Sequence, residues 1–371
     1  MSSSRRLSAL TLAVATAVSG LLGAGTAVAA VVPGCDISQA TGATATTVHR
    51  ATGASPDDGT DDRTAIQAAI NRASAAGGGV VSLPAGTFLV SGALTLKSNV
   101  ALKGQGPATV VKAGPNFLSS VGPYRGRPLI TTNRAVNVTV ADLTADQSGD
   151  TLNGNVSGRL NEYLVDVRWS TNAVISGVTT KNPFTYSIVA ASSKRFCIVG
   201  SATSTRTQGR YDQLDGIHIL NSSFGDVVRN TVDQGAGGAT GDGDDGLVAH
   251  TMDGGSVHDV RYVGNKVRGG RHGHGMQFAL STSSDVVYNV TVAGNEIWGS
   301  PAGIITGYYN SDGLVRDVSI TGNDFHDNAR NGVRITGRPA NVKVTNNRAC
   351  ATGSLTVVAG TGNVVSGTTG C

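Results

Sequence analysis

A short pattern of apolar and polar residues recurs along the C-terminal half of the chain. Each copy begins with an apolar–polar–apolar alternation, which is typical of a half-buried β-strand. A glycine or asparagine suited to turns follows, and then an asparagine, one variable residue and a further apolar residue. The copies cover residues 260–267, 290–297, 318–325 and 342–349. Fainter copies occur at residues 138–143, 174–178 and 227–232.

The shared asparagines of this repeat are Asn265, Asn295, Asn323 and Asn347, at intervals of 30, 28 and 24 residues. A period of this length built on strands and turns predicts a parallel β-helix, in which each coil buries its apolar face against its neighbours. The repeat has too few leucines for leucine-rich repeats and is too short for propeller blades. We expect the asparagines to stack inside the turns as a hydrogen-bonded ladder.

The start of this region has a different pattern. Residues 62–76 predict a short helix with Ile66, Ala69, Ile70 and Ala73 on one face, followed by a strand pattern over residues 80–90. Such a helix would cap the first coil, whose backbone groups and apolar core are otherwise open. We therefore predict an all-β, single-domain solenoid over residues 57–371, preceded by an extended lead-in over residues 30–56.

Composition supports a β protein rich in turns. The chain has 51 glycines, and all of its 25 acidic residues except Glu162 and Glu296 are aspartates. Helix surfaces favour glutamate and lysine, so a helical bundle is excluded. The formal net charge of +4 does not indicate a nucleic-acid surface, and no nucleic-acid partner is expected.

The N-terminus has the pattern of a secretory signal peptide over residues 1–29. Arg5 and Arg6 precede an uncharged run over residues 7–22, and Ala27-Val28-Ala29 provides a small-residue cleavage site. A membrane anchor is the weaker alternative, because serine, threonine and glycine dilute the apolar run. We expect a secreted, extracellular protein with no membrane association, exported by the general or the twin-arginine route.

Four cysteines suit an exported chain with two disulfides, for which three pairings exist. We prefer Cys350 with Cys371, which would fasten the C-terminal segment, and this leaves Cys35 with Cys197. No cysteine or histidine spacing supports a metal site, so no metal or other cofactor is predicted.

Several motifs near the start of the solenoid carry a family resemblance. Residues 57–62 read Asp-Asp-Gly-Thr-Asp-Asp, residues 77–86 begin with three glycines, and residues 97–104 read Lys-Ser-Asn-Val-Ala-Leu-Lys-Gly. Together with the alanine-rich helix, they resemble the opening of the pectate-lyase-like, right-handed β-helix proteins. This resemblance implies the fold alone, because the same opening precedes hydrolases, lyases, epimerases and phage tailspikes.

Three later motifs indicate chemistry: Asp215-Gly-Ile-His218, Gly243-Asp-Asp-Gly246 and Gly273-His-Gly275. Their order is similar to the active-site coils of glycoside hydrolase family 28, the polygalacturonases and rhamnogalacturonases. The resemblance implies that Asp244 is the general acid, that Asp215 and Asp245 hold and activate the attacking water, and that His274 supports the acid or contacts the sugar.

The expected stacking of the coils is consistent with these roles. Successive coils stack about 4.8 Å apart, so a modest lateral offset brings carboxyl groups into the ~6.5–9.5 Å range of inverting glycosidases. Crowded carboxylates also raise the pKa of at least one member, as an acid catalyst requires. Read alone, however, the Asp-rich residues 241–246 would suit a plain turn or a calcium-binding loop.

The chain departs from that family mainly in the residues expected to bind substrate. The first motif keeps Asp215 but lacks the preceding Asn and Thr. The family's uronate-binding Arg-Ile-Lys is absent from the coil after His274, and a similar segment with Arg334 lies about two coils beyond. We therefore do not expect simple polygalacturonan as substrate. The predicted substrate contacts are His218, Arg271, His272, Gln277, Tyr308, Tyr309 and Arg334.

Three functions of different classes fit these observations. The leading prediction is a monomeric, secreted, inverting glycoside hydrolase that acts on a polysaccharide or oligosaccharide. A polysaccharide lyase would share the fold but needs a uronate substrate and a basic proton acceptor, and lysines are scarce near the aspartates. A non-catalytic carbohydrate-binding β-helix would not need all three aspartates. The sugar, the linkage and the choice between endo and exo cleavage stay open.

Overall fold

The computed structural model describes most of the chain beyond its N-terminal segment. The described residues are Cys35, 47–117, 128–152, 163–205, 214–235, 243–307, 312–357 and 360–371. The predicted signal peptide and the predicted site residues Tyr308 and Tyr309 lie outside them. No helix in this part of the chain is long and apolar enough to span a membrane.

Within the described residues, one long parallel sheet, here called sheet 1, contains 13 strands. Its strands are β1 (Val48–Arg50), β2 (Gly79–Ser82), β5 (Val100–Lys103), β8 (Val136–Ala141), β11 (Thr171–Ser176), β14 (Lys194–Val199), β17 (Ser223–Val228), β20 (Ser256–Val263), β23 (Val286–Ala293), β26 (Leu314–Thr321), β29 (Arg338–Ala340), β30 (Lys343–Thr345) and β33 (Val364–Ser366). Strand β1 pairs with β2 and lies within the predicted lead-in.

Two further parallel sheets contain ten strands each. Sheet 2 consists of β3 (Gly86–Val90), β6 (Thr109–Ala113), β9 (Thr144–Asp146), β12 (Thr179–Lys181), β15 (Ala202–Ser204), β18 (Thr231–Asp233), β21 (Lys266–Arg268), β24 (Glu296–Trp298), β27 (Asp324–His326) and β31 (Arg348–Cys350). Sheet 3 consists of β4 (Leu94–Leu96), β7 (Ile130–Asn133), β10 (Val165–Arg168), β13 (Ile188–Ala191), β16 (Ile217–Leu220), β19 (Leu247–Thr251), β22 (Met276–Leu280), β25 (Ala302–Thr306), β28 (Asn331–Ile335) and β32 (Leu355–Val357).

The chain visits sheets 1, 2 and 3 in turn in each coil, and each strand pairs with its counterpart one coil later. This is a right-handed parallel β-helix, so the predicted fold class is confirmed. Like residues stack along the core: Val260, Val290 and Val318 occupy matching positions in sheet 1 and are at most 1% exposed. Each such side chain contributes about 1.5–3 kcal/mol when fully buried.

The predicted capping helix is also present. Helix α1 (Arg63–Ala75) buries Ile66, Ala69, Ile70 and Ala73, the four residues of the predicted apolar face. It packs against the first strands of sheets 1 and 3. The helix therefore covers the apolar end of the coil that carries β2 and β4.

The predicted asparagine ladder runs along the turn between sheets 1 and 2. Each member donates from its side-chain nitrogen to a backbone carbonyl of the preceding coil, and each except the last, Asn347, also donates to the side-chain oxygen of the next. Its side-chain oxygen also accepts the backbone N–H of the preceding member. Asn230, in one of the fainter sequence copies, extends the ladder by one coil through Asn265.

Both predicted disulfides form. Cys350 is bonded to Cys371 across 21 residues, and Cys35 is bonded to Cys197 across 162 residues. Cys197 lies on β14 among the small outer cluster of Val174, Val199 and Val228. The second bond therefore ties Cys35 to the outside of sheet 1.

Candidate active site

Three of the predicted catalytic residues occupy equivalent positions on successive coils. Asp215, Asp245 and His274 each lie two residues before a strand of sheet 3, and those strands pair in register. The backbone continues the register: Gly216 N–H donates to the Asp245 carbonyl at 3.0 Å, and Gly246 N–H donates to the His274 carbonyl at 2.9 Å. The three side chains therefore form one column, which we call the acid column.

A glycine follows each member of the acid column because the corner between sheets 2 and 3 has no room for a side chain. A Cβ atom on Gly216 would overlap the side chain of Val232, and one on Gly246 would overlap Val267. Gly275 packs in the same way on Ile297. The glycines of the Asp-Gly, Asp-Asp-Gly and His-Gly motifs are thus packing requirements, and the residue before each glycine is directed out of the core.

The carboxylates of the acid column are held by the backbone of the following coil. Asp245 N–H donates to Asp215 Oδ1 at 3.2 Å, and His274 N–H donates to Asp245 Oδ1 at 2.7 Å. The Nδ1 atom of His274 is also 3.1 Å from Asp245 Oδ1. Asp215 and Asp245 are only 3% and 4% exposed, so these bonds fix their orientation in a low-dielectric setting.

Asp244 completes the cluster and is half-buried, which makes it the most accessible of the three carboxylates. Gly270 and Gly273 pack so closely on the backbone of residues 243 and 244 that a side chain at either position would overlap it. One oxygen from each of Asp215, Asp244 and Asp245 lies within 4.8 Å of the others.

This spacing defines what the cluster can hold. Two oxygens up to 4.8 Å apart can share one bridging water, whose O–H···O bonds are each about 2.8 Å long. Among the described residues, the same three aspartates are the group close enough to share a cation with oxygen ligands. This distance joins single oxygen atoms, whereas the ~6.5–9.5 Å of inverting glycosidases is measured between whole carboxyl groups.

Burial, and then the negative charge of Asp245, raise the pKa of Asp215 well above its ordinary value. Burial lowers the pKa of the adjacent His218 to about 3. The Nδ1 atom of His218 lies 2.6 Å from Asp215 Oδ2. His218 is therefore a neutral imidazole at ordinary pH, and the cluster keeps a proton more readily than an exposed carboxyl group does.

His218 belongs to a hydrogen-bonded chain that leads away from the aspartates. Its Nε2 atom is 3.1 Å from His250 Nδ1, and His250 Nε2 is 3.0 Å from Ser281 Oγ. Burial, and then His218, lower the pKa of His250 to about 3. With both imidazoles neutral, the hydrogen bonds of this chain have two consistent arrangements. Either every N–H and O–H group along it donates toward Asp215, or every one donates toward Ser281 and Asp215 itself carries a proton.

The other side of His218 is covered by stacked aromatic rings. The Tyr186 ring lies 4.4 Å from the His218 ring, nearly parallel to it, and Tyr163 stacks on Tyr186 at 5.1 Å. His218 is 3% exposed, and both of its ring nitrogens bond within the protein. This arrangement buries His218 and therefore does not support its predicted contact with substrate.

An open groove of about 470 Å³ begins at His274 and extends over the next two coils. Gln277, Ile305 and Arg334 occupy matching positions on β22, β25 and β28 and form its floor. Two predicted substrate contacts, Gln277 and Arg334, thus lie in one groove beside the acid column. Arg330, which no sequence motif singled out, also lines the groove.

The remaining predicted contacts lie at the turn before β22. Arg271 and His272 are exposed, and His272 N–H donates to the Gly243 carbonyl, which brings this turn next to Asp244. The structure therefore brings Asp215, Asp244, Asp245 and His274 together with Arg271 and His272 nearby. Their catalytic and binding roles stay predictions.

Comparison with known proteins agrees with this architecture. Residues 46–156 match the family model described as "Rhamnogalacturonase A/epimerase, pectate lyase-like". This match indicates a pectate-lyase-like domain of the parallel β-helix superfamily over that segment. Over 295 residues this β-helix protein is 30% identical to mannuronan C5-epimerase AlgE3 of Azotobacter vinelandii, a match that covers 76% of this chain and 13% of the epimerase. The chain thus spans only a small part of that relative.

Solved structures share the β-helix fold. The exopolygalacturonase from Thermotoga maritima superposes with a TM-score of 0.64 at 17% identity, covering 87% of this chain and 92% of the other. The A-module of Azotobacter vinelandii mannuronan C-5 epimerase AlgE4 gives a TM-score of 0.54 at 18% identity, covering 87% and 96%. Related β-helix proteins therefore act on polysaccharides by different chemistries, and the reaction of this one has to be argued from its own site.

Proposed function

We propose that the protein hydrolyses glycosidic bonds of a polysaccharide outside the cell. The observation that carries the proposal is the cluster of three carboxylates, whose nearest oxygens lie within 4.8 Å of one another. Hydrolysis needs one carboxyl group that donates a proton and another that deprotonates water. The two disulfides suit an oxidising, extracellular compartment.

The exposure of the three aspartates suggests which one donates a proton and which one activates water. Asp244 is the most accessible, so it is the group that protonates the glycosidic oxygen as the bond to the anomeric carbon breaks. Asp245, fixed by His274, accepts a proton from a water held between it and Asp215, and that water's oxygen bonds to the anomeric carbon. Attack from the face opposite the leaving oxygen gives an inverted product. Asp215 orients Asp245 because its Oδ1 atom accepts the backbone N–H of Asp245.

A second candidate is uronate chemistry, either elimination or C5 epimerisation, because the chain matches a mannuronan C5-epimerase over 295 residues. Both reactions remove the proton on C5 of a uronate, which requires a base and neutralisation of the sugar carboxylate. Among the described residues near the cluster, the groups that could act as the base or neutralise the carboxylate are Arg271, His272 and His274. Three aspartates at the same place would repel the carboxylate of the reacting sugar, which favours hydrolysis.

The test is to assay the mature protein on acidic and neutral polysaccharides for new reducing ends, for the ultraviolet absorbance of unsaturated ends, and for C5 inversion by nuclear magnetic resonance. Hydrolysis predicts reducing ends without absorbance or inversion. Asp244→Asn should lower the rate at least ~100-fold, the usual size of a general-acid contribution. Asp253→Asn, an exposed change of the same kind on the loop after β19, should not change it. Absorbance or inversion without saturated new ends would refute hydrolysis.

A further inference from the structure

The groove beyond His274 differs in charge from the acid column. Two guanidinium groups line it, those of Arg330 and Arg334, and both side chains are exposed. Neither forms an ion pair or a side-chain hydrogen bond with any described residue. The acidic side chain among the described lining residues is that of Asp312, which is exposed as well. The groove therefore carries an excess of positive charge.

Unpaired arginines in a groove indicate an anionic ligand. A guanidinium presents its N–H groups in a planar fork that matches a carboxylate, and such charge-assisted bonds are stronger than bonds between neutral groups. Other arginines of this part of the chain differ. Arg316 and Arg348 pair with Asp317 and Asp324 respectively, and the exposed Arg338 donates to the backbone carbonyls of Asp312 and Ser283. Arg330 and Arg334 thus differ from these arginines because they lack a side-chain partner among the described residues.

The register fixes where an anionic group would bind. Arg334 lies two coils beyond Gln277 in the same outward column, which corresponds to about 10 Å along the solenoid axis. Ile305, between them, presents an apolar side chain suited to a sugar face. A charged sugar at Arg334 would thus be separated from the sugar at the acid column, where three aspartates would repel it.

We propose that the groove binds an acidic sugar unit of the substrate, through a uronate carboxylate held by Arg334 with Arg330, about three coils from the bond that is cleaved by Asp244 and Asp245. This inference rests on the proposed function and names its substrate class: a polysaccharide that contains uronate, without requiring a uronate at the point of cleavage. The proposed site would allow the chain to bind an acidic polymer although strand β25, in the coil directly after His274, has no basic residue.

The test measures binding apart from catalysis. In an Asp244→Asn background, hexagalacturonate and hexamannuronate are titrated by calorimetry beside the same oligosaccharides with their carboxyl groups reduced to alcohols. The acidic form of at least one should bind more tightly than its reduced form. Arg334→Gln should weaken acidic binding about tenfold, the equivalent of one charge-assisted hydrogen bond, and Arg330→Gln should weaken it less.

Matched variants keep the outcome interpretable. Arg316→Gln removes the same charge on sheet 1 and should leave binding unchanged, while Arg334→Lys should retain only part of the affinity because lysine lacks the planar fork. Equal binding of acidic and reduced oligosaccharides, an equal loss in Arg316→Gln, or tighter binding of a sulfated oligosaccharide of equal length would overturn the proposal. Acidic binding that depends on Arg334, without release of reducing ends by the wild type, would refute hydrolysis alone.

Discussion

The asparagine ladder offers a quantitative test of what holds the solenoid together. Asn295 is 1% exposed, and its side chain makes four hydrogen bonds. It accepts from the backbone N–H and the side chain of Asn265 at 2.8 and 2.9 Å, and it donates to the Tyr262 carbonyl and to Asn323 Oδ1 at 3.0 and 2.9 Å. Asn295→Ala removes all four and leaves the buried N–H of Asn265 without its partner.

The expected loss follows from these bonds. A typical hydrogen bond contributes about 0.5–1.5 kcal/mol net, so four give ~2–6 kcal/mol, and the unsatisfied N–H places the loss in the middle of that range. We therefore expect the free energy of unfolding to fall by about 4 kcal/mol. Equilibrium unfolding in guanidinium chloride, followed by circular dichroism and extrapolated to water, measures it.

The control is Asn289→Gly on β23, the strand that precedes Asn295. Asn289 is exposed and has a φ of 51°, which glycine tolerates; among the described residues, its side chain donates only to Asp259 Oδ1. It should lose no more than ~1 kcal/mol. A loss in Asn295→Ala that is no larger than that of the control would show that the ladder is not a source of stability.

Two further predictions concern the site. The pKa of His218 and of His250 is lowered to about 3, whereas an unfolded histidine titrates near 6.5, so below about pH 6.5 the unfolded chain takes up protons that the folded one does not. Each of the two histidines should therefore lower the free energy of unfolding by about 1.4 kcal/mol per pH unit as the pH drops toward 4, and the raised pKa of Asp215 opposes part of this fall. Denaturant titrations at several pH values would show the slope, and His250→Asn must reduce it. In Gly246→Ala the new Cβ atom should overlap Val267 and displace Asp245, which should lower the rate of hydrolysis at least ~10-fold. Gly370→Ala, where a Cβ atom meets open space, should have no effect. Equal rates of hydrolysis in the two variants would contradict the packing role of Gly246.

Local patterns predicted the features that depend on neighbouring residues. The apolar face of α1 follows from helical spacing, and the ladder from asparagines placed after a strand and a turn residue. The catalytic candidates Asp215, Asp245 and His274 come from short motifs that resemble those of glycoside hydrolase family 28, and in each motif the residue precedes a glycine that the corner of its coil requires. Each of these patterns spans only a few residues, so it can be recognised whatever the length of the coil that contains it.

Contacts between coils could not be predicted in the same way. His250 meets His218 and Ser281 across 32 and 31 residues, and which residues align depends on the length of every turn between them. His218 was predicted to face the substrate because its motif lies beside Asp215, yet the register and the stacked Tyr186 bury it. Arg330 gave no signal, because its position in the groove is set by the path of the coil rather than by a motif.

The acid column and the groove floor have a consequence for how such a protein can change. Each coil contributes one outward residue to a given column of sheet 3, so gain or loss of one complete coil moves every later residue by one strand spacing, about 4.8 Å. The sheets would remain paired, because the new coil offers the same backbone edges as the old. Divergence by whole coils can therefore alter the distance between a cleavage centre and a charged recognition group in fixed increments, without redesign of either one.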